Sequence, residues 1–404
     1  MKPSTSMFAA VTLALGVATT YLVTPSVAET FIIMPGELQE ALDEVQPGDT
    51  IELSPGHYYE SVVTKRAGTA DKPITIHGES YRAVLKGDAD GSDHMFDIQH
   101  SYYVLDRFTI DGHLGGDEYQ DKCLYVQTNR KDGERAHEIE FNGHSFRSSI
   151  NGIVISNMDI KNCGGECVRM RYFITYAQVF NNRIENCGTH DFVVYPDNGG
   201  KNGEGIYLGT SSNQWDDGKN PSNEPDESQY NHIFDNYFDT QGNEGLDIKE
   251  GSSNNVVENN YCTGQKDPES ACLDARGSGN IIRFNKIEGN TGAGVRLGGH
   301  KIDGYTYGVD NEVYGNMMKN NEYAGVKATV GPQGKVCENN IDGSEPGRGD
   351  GMDDVNPSAS CPHHPSMAIT ARVGGNSEVS KGSRRQAAAT AVRSYSAVEQ
   401  NKGH

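Results

Sequence analysis

The stretch Glu244–Lys249 reads Glu-Gly-Leu-Asp-Ile-Lys, and Ala271–Arg276, one repeat later, reads Ala-Cys-Leu-Asp-Ala-Arg. When the two are aligned, the third and fifth residues are apolar, whereas the fourth and sixth are charged. This period-two alternation is typical of a half-buried β-strand. The same frame fits four further stretches: Glu166–Arg171, Glu204–Gly209, Ala293–Gly298 and Ala324–Thr329. We therefore predict six strands stacked in one register.

The outward positions of this frame carry a strip of cations: Arg169, Arg171, Lys249, Arg276, Arg296 and Lys327. The chain of 404 residues has a formal charge of −21, so as a whole it should repel polyanions. A basic strip in a groove can still bind a polyanion, because the nearest charges set the local field. We predict an active groove here, with these residues binding substrate: Arg169, Arg171, Tyr207, Arg296 and Lys327. The alternative is that the cations pair with neighbouring carboxylates on a solvated surface.

A second column of residues recurs at 23 to 25 positions in its closest spacings: Asp106, Asn157, Asn182, Asn236, Asn260, Asn285, Asn316 and Asn339. Short strands, 48 glycines and a repeat of this length indicate a solenoid rather than a helical protein. Leucine-rich repeats are disfavoured because their leucine scaffold is missing. Stacked asparagines suit an inner ladder that satisfies backbone groups of the turns. The predicted fold is all-β, a right-handed parallel β-helix, with an N-terminal helix at Glu37–Val45 covering its first edge.

The ends of the chain differ from this repeat. Residues 1–28 resemble a secretory signal peptide, and no other segment is apolar enough to cross a membrane. We predict the β-helix over 29–345 and a polar, disordered tail over 346–404. Two insertions, 210–230 and 299–310, follow charged strands and should wall the groove. The protein is expected to be secreted and monomeric and not to bind nucleic acid.

Eight cysteines in an exported chain suggest disulfides. Cys163 and Cys187 both lie in Asn-Cys-Gly turns and should stack on successive turns, while Cys123 falls in the same column as Cys167. Neighbourhood suggests two pairs: Cys262 with Cys272, and Cys337 with Cys361. The full connectivity stays open. A zinc site is disfavoured because the chain has no paired Cys-x-x-Cys motif.

The adjacent cations Lys249 and Arg276 suit β-elimination on a uronic acid. That reaction needs a group that neutralises the C6 carboxylate, a base at C5, and a proton donor or charge at the leaving O4. Lysine can be the base if a neighbouring cation lowers its pKa, whereas arginine stays protonated. Four carboxylates lie around the pair: Glu204, Glu244, Asp247 and Asp274. Calcium is a plausible neutraliser of these oxygens, with the interleaved cations as the competing one.

These residues resemble those of a known family, the pectin-lyase-like β-helix superfamily and, within it, the polysaccharide lyases of the chondroitinase B and alginate lyase group. Three opening motifs carry the resemblance: Gln46–Ile51, Pro55–Tyr58 and Lys72–Ile76. In that family a glutamate lies five residues before a catalytic lysine, with an arginine on the next rung. The resemblance implies Lys249 as base, Arg276 as acid or charge stabiliser, and Glu244 as a calcium ligand.

The chain also departs from that family. Gly242 stands where the family has a second acidic residue, and Arg276 is followed by Gly-Ser rather than His-Gly. Asp247 and Asp274 resemble the calcium-binding aspartates of pectate lyases. The predicted substrate is an acidic polysaccharide such as pectate or alginate.

Three alternatives stay open on the same fold. A glycoside hydrolase would use Asp247 and Asp274 as its convergent carboxylates. A uronate C5-epimerase would share the proton abstraction, and a non-catalytic glycan-binding protein would keep only the scaffold.

Overall fold

The computed structural model describes residues 27–88, 93–128, 137–141, 144–189, 202–353 and 355–361. Nearly all of the predicted signal peptide and most of the predicted tail therefore lie outside the described residues. Within the described ranges, no helix is both long enough and apolar enough to cross a membrane.

The described chain winds into a solenoid whose turns add parallel strands to three sheets. Sheet 1 has these strands: Thr30–Ile33, Thr50–Leu53, Ile74–Gly78, Tyr103–Asp106, Val154–Ser156, Gln178–Phe180, His232–Phe234, Val256–Glu258, Ile281–Arg283, Glu312–Tyr314 and Val336–Cys337. Sheet 2 has Gly56–Tyr58, Ala83–Leu85, Thr109–Asp111, Asp159–Cys163, Arg183–Cys187, Tyr237–Asp239, Tyr261–Thr263, Lys286–Glu288, Met317–Lys319 and Asn340–Asp342. Sheet 3 has Val62–Val63, His94–Ile98, Lys122–Val126, Val168–Met170, Ile206–Leu208, Leu246–Ile248, Ala271–Ala275, Ala293–Leu297, Val326–Ala328 and Gly347–Arg348. The predicted parallel solenoid is confirmed.

Smaller elements decorate these turns. They are the helix Leu38–Glu44, the 3₁₀ turns Ser212–Gln214 and Asp350–Met352, the antiparallel pairs His113–Gly115 with Glu118–Tyr119, His137–Phe141 with His144–Ser148, and Lys301–Ile302 with Tyr305–Thr306, and the parallel pair Ile150–Asn151 with Ile174–Thr175. The helix buries Leu38 and Leu42 over the first turn, as the predicted capping helix should. It is one residue shorter at each end than predicted.

Sheet 3 has the register predicted from the six aligned stretches. Its fourth positions pair along the solenoid axis in this order: Arg169, Tyr207, Asp247, Asp274, Arg296 and Lys327. The third and fifth positions, such as Leu246 and Ile248, are fully buried in the core. Burial of these alternate apolar side chains pins the strand, so the charged positions between them face outward.

An asparagine ladder runs along the corner between sheets 1 and 2. Asn260 Nδ2 donates to Ile233 O and to Asn285 Oδ1, each at 3.0 Å, and Asn260 Oδ1 accepts from Asn236 N at 3.0 Å. The ladder therefore satisfies buried backbone groups turn after turn. The sequence column is wrong at its start, because the ladder continues from Asn182 to the backbone of Met158 rather than to Asn157.

Asn157 and Asp106 lie outside the ladder for a conformational reason. Asn157 has φ 53° and occupies the left-handed position just before the ladder residue, where a short polar side chain is tolerated. Asp106 pairs with Ser156 on sheet 1, one position earlier again. Spacing alone could not separate Asn157 from Met158, which the strand pairing matches with Asn182.

Four disulfides join neighbouring loops and strands: Cys123–Cys163, Cys167–Cys187, Cys262–Cys272 and Cys337–Cys361. The two pairs suggested by neighbourhood are confirmed. Cys163 and Cys187 do stack in register on sheet 2, but each bonds to a cysteine next to or within sheet 3.

Candidate active site

The outer face of sheet 3 contains a cavity of about 330 Å³. It is lined by Asn202, Glu204, Tyr207, Ser211, Gln214, Asn243, Glu244, Lys249, Asp267, Glu269, Arg276 and Arg296. Three of the six predicted cations thus meet in one place. The lining carries four carboxylates and three cations, so its charge is mixed rather than uniformly basic.

Three buried carboxylates lie close together at the cavity, two of them in its lining and the third next to it. Glu204, Glu244 and Asp247 each offer an oxygen, and these oxygens all lie within 4.8 Å of one another. Among the described residues, Glu244 Oε2 and Asp247 Oδ1 have no hydrogen-bond partner. A divalent cation with hard oxygen ligands would satisfy both orphaned atoms, so the donor set fits calcium. Asp274, predicted as a fourth ligand, is buried one turn farther along.

The cations are held by two aspartates that have no exposed surface. Lys249 Nζ contacts Asp247 Oδ2 and lies 3.4 Å from Glu204 Oε1. Arg276 bridges both aspartates, with Nη2 at 3.3 Å from Asp247 Oδ2 and Nε at 3.2 Å from Asp274 Oδ2. Arg296 Nη1 lies 3.2 Å from the same Asp274 oxygen. The aspartates therefore position three cations on three successive turns.

Lys249 is far more deeply buried than its outward strand position predicts, with 4% of its surface exposed. Burial is the largest single effect and favours the neutral form, but Asp247, Tyr207 and Glu204 together outweigh burial and the repulsion from Arg276. The pKa of Lys249 is therefore well above its usual range. Arg276 lowers this pKa, as predicted, but the opposing effect of Asp247 is larger.

Glu244, unlike Lys249, is surrounded mainly by groups that disfavour its charged form. Its burial, and secondarily the charges of Asp247 and Glu204, raise its pKa to about 8. A carboxyl group that resists ionisation among other carboxylates is the expected result of crowding negative charges without enough cations.

Tyr207 lies between two cations at the cavity wall. Lys249 Nζ is 4.2 Å from the centre of its ring, and Arg169 Cζ is 4.6 Å from it. The Tyr207 hydroxyl donates to Gln214 Oε1 at 3.2 Å and accepts from Ser211 N at 3.0 Å. Arg169 itself contacts Glu166 and Gln214 and lies behind the cavity rather than in its lining.

Arg171 does not reach the groove, so its predicted role as a substrate-binding residue has no support from its position. Its Nε donates to Thr210 Oγ1 and its Nη2 to Asn220 Oδ1, both at 2.8 Å. These bonds hold the first insertion against sheet 3. The insertion, in turn, places Ser211 and Gln214 in the lining.

The second insertion braces the first. His300 Nε2 lies 3.0 Å from Ser212 Oγ, and the ring of Tyr307 packs edge-on against Trp215 at 5.6 Å. Both insertions therefore contribute to the same wall, although only the first places residues in the cavity lining.

Sequence reasoning missed the acidic rim of the cavity. Asp267 and Glu269 lie in the loop closed by the Cys262–Cys272 disulfide, a closeness in sequence that could have flagged the loop. Lys327 Nζ donates to the backbone oxygen of Glu269, so this cation lies at the rim and not in the lining.

Residues 197–358 match a family model described as a right-handed β-helix region. An alginate lyase from Paenibacillus sp. str. FPU-7 superposes with a TM-score of 0.59 at 20% identity, over 78% of this chain and 97% of that lyase. The protein is a right-handed parallel β-helix. The fold class predicted from the sequence is confirmed.

Other solved β-helices resemble this one more distantly. The pectate lyase Pel9A has a TM-score of 0.49 at 11% identity, with 89% of this chain and 94% of that chain covered. The PL6 family alginate lyase AlyGC has a TM-score of 0.44 at 17% identity, with 75% and 40% covered. No curated protein matches the sequence of this β-helix significantly. Likeness at these identities shows the fold alone, so the reaction has to be argued from the site.

Proposed function

We propose that this β-helix is a polysaccharide lyase that cleaves a uronate-containing polysaccharide by β-elimination at the sheet 3 cavity. The observation that carries the proposal is the convergence of Lys249, Arg276 and Arg296 from three successive turns on one cavity. Strands stack at about 4.8 Å, so cations on successive turns can meet the regularly spaced carboxylates of a polyuronate. The alginate lyase with the same fold supports this class of substrate by its name.

The chemistry divides among these side chains. Arg276 and Arg296 are partly exposed and stay charged, so they are suited to bind the C6 carboxylate and make the C5 proton more acidic. We assign Lys249 as the base that takes this proton. The C5–H electrons then form the C4=C5 double bond, the C4–O4 bond breaks, and O4 receives a proton.

The proton for O4 has two candidate donors. The Tyr207 hydroxyl borders the cavity next to Lys249 and is kept protonated by burial, which raises its pKa. It can donate a proton outright, whereas the Arg276 guanidinium can only stabilise the departing oxygen by its charge. We therefore assign Tyr207 proton donation in addition to the substrate binding predicted from the sequence.

We further propose that calcium binds Glu204, Glu244 and Asp247. Asp274 would not bind the ion but would hold Arg276 and Arg296 in place. The orphaned oxygens of Glu244 and Asp247 support this assignment. A bound divalent ion would add positive charge beside Asp247, which otherwise holds the proton on Lys249. It would also offset the surplus of carboxylates in a cavity that has to accept a polyanion.

A hydrolase is less compatible with this geometry. Asp247 and Asp274 are fully buried, and each is paired with cations at 3.3 Å or closer. A glycosidase needs a carboxyl group that reaches the glycosidic oxygen, and neither aspartate is free to do so.

Export also belongs to the proposal. Four disulfides among the described cysteines are typical of proteins that fold in an oxidising compartment, and a secreted lyase would meet its polymer outside the cell.

The base assignment is tested with Lys249→Arg, which keeps a cation against Asp247 but cannot release a proton at working pH. We expect kcat to fall by about a hundredfold or more, with little change in polymer binding. Arg296→Ala should mainly raise KM. Lys319→Arg, an exposed lysine on sheet 2, is the matched control. Near-normal turnover of Lys249→Arg would assign lysine to charge alone and the base to another group.

A further inference from the structure

A second, larger groove lies at the corner between sheets 1 and 2, and sheet 3 contributes no residue to it. Its volume is about 930 Å³. Its lining includes a row of turn residues, Phe180 from sheet 1, and Tyr237 and Tyr261 from sheet 2. None of these residues has a part in the proposed lyase reaction.

The floor of the groove is a row of short polar side chains. Asn181, Asp235 and Asn259 occupy equivalent turn positions on three successive turns, each with φ of 55° or 56°. All three are exposed, and none of their side chains forms a hydrogen bond to another described residue. A row of unpaired amide and carboxylate groups, one per turn, is available to a ligand that extends along the axis.

Aromatic rings flank this row on both sides. The rings of Phe180 and Phe234 stack at 4.8 Å on the sheet 1 side. On the sheet 2 side, Tyr237 and Tyr261 stack at 5.2 Å, and Arg183 covers the outer face of Tyr237 at 4.5 Å. The groove thus combines aromatic side chains with a polar floor.

Phe284 continues the polar row in an unexpected way. It pairs with the position of Asn259 on the next turn, has φ 57°, and is 52% exposed. A bulky residue in the left-handed region is strained, whereas the three preceding turns have asparagine or aspartate there, which tolerate it better. Its ring packs edge-on against Tyr314 at 5.7 Å and lies 5.5 Å from Arg283 Cζ, but these contacts leave half of the residue exposed at a strained position, which is a sign of function.

We propose that this corner is a binding site for a neutral polysaccharide chain, separate from the sheet 3 cavity. The turns repeat at about 4.8 Å, close to the advance of one sugar in an extended 1,4-linked chain, so each turn would meet one sugar. The aromatic rings of the groove and the exposed ring of Phe284 would contact the apolar faces of sugars, while amides and carboxylates would bind hydroxyls.

The charges argue for a neutral chain. Arg183 is paired with Glu185 and Asp159 with Lys161, which leaves Asp235 as the unpaired charge among these groove residues. A polyuronate would be repelled here, in contrast to the cationic rim of the sheet 3 cavity. The site would hold the protein on neutral glycans that accompany its acidic substrate.

The test is affinity electrophoresis in native gels that contain hydroxyethylcellulose, xyloglucan, galactomannan or polygalacturonate. We expect at least one neutral polymer to retard the wild type. Phe284→Asn and Asn259→Gly should each weaken this retardation by about fivefold or more. Phe284→Asn should also keep or raise Tm, because it relieves the left-handed strain. Tyr59→Ala, an exposed tyrosine near the N-terminal end, is the control and should leave retardation unchanged.

Three outcomes would overturn the proposal. The first is that no neutral polymer retards the wild type. The second is that the double variant Phe284→Asn/Asn259→Gly is retarded as strongly as the wild type. The third is that the groove variants lose retardation by polygalacturonate only, which would make the ligand anionic.

Discussion

Removal of the Lys249 side chain should reveal how strongly the site depends on a buried ion pair. The strand pattern alone would treat Lys249 as a surface residue whose loss costs little stability. In the structure its ammonium lies against Asp247, which has no exposed surface, and near Glu204, which is also buried. Lys249→Met would therefore leave buried carboxylates without their closest cation.

The expected loss of stability depends on the cations that still neutralise Asp247 in the variant. Breaking a buried pair from one side typically costs about 3–5 kcal/mol. Arg276 still lies 3.3 Å from the same Asp247 oxygen, so the lower end, about 3 kcal/mol, is expected for metal-free protein. For a domain of this size that corresponds to a fall in Tm of about 4–5 °C.

The diagnostic comparison is a double-mutant cycle. Asp247→Asn removes the orphaned charge, so the double variant Lys249→Met/Asp247→Asn should be more stable than the sum of the two single losses predicts, with a coupling of about 2 kcal/mol. Thermal unfolding followed by circular dichroism, in chelator at constant pH, measures all four proteins. Additive losses, or an unchanged Tm for Lys249→Met, would refute the buried-pair account.

Three further predictions concern metal, pH and the core. Calcium should raise the Tm of the wild type in proportion to the logarithm of its concentration above Kd, and Glu244→Gln should remove this shift; the same calcium-dependent rise in the variant would contradict the ligand assignment. Burial raises the pKa of Asp106, but hydrogen bonds, foremost that with His77, outweigh burial, so the net pKa is lowered. The Asp106 carboxylate therefore stabilises the fold at pH values above its unfolded pKa. This stabilisation is lost as the pH falls through the folded pKa. Asp106→Asn should thus be less stable than the wild type at pH near neutrality and match it in strong acid, as pH-dependent Tm measurements would show. Asn260→Ala should cost about 3 kcal/mol in urea unfolding because it leaves ladder groups on both adjacent turns unpaired, and a cost near zero would refute the ladder's energetic role.

The register of sheet 3 could be predicted because period-two alternation assigns each residue to one face. Leu246 and Ile248 point inward, so the charged residues between and after them had to point outward. The alternation of apolar and charged residues predicts which way a side chain points but not how deeply it is buried. It could not show that Lys249 lies beneath the rim of the cavity, because that depth comes from loops on other turns.

Long insertions were the other limit. Arg171 shares the cationic frame, yet its partners lie in the first insertion, whose path no periodicity describes. Asn157 was misplaced by one position in the asparagine column for a different reason: the strands around it pair with the next turn at a constant offset that matches Asn182 with Met158, and spacing alone could not distinguish these neighbours.

The central claim is β-elimination at the sheet 3 cavity, and product analysis tests it most directly. The wild type is incubated with polygalacturonate, alginate, glucuronan and dermatan while the ultraviolet absorbance of unsaturated uronate and the number of reducing ends are followed together. The account predicts that both rise in parallel on at least one polymer, and that Lys249→Arg slows both by about a hundredfold or more. Reducing ends without absorbance would show a hydrolase, and an altered uronate composition with neither signal would show an epimerase. Either result, or binding without any change in the polymer, would contradict the account.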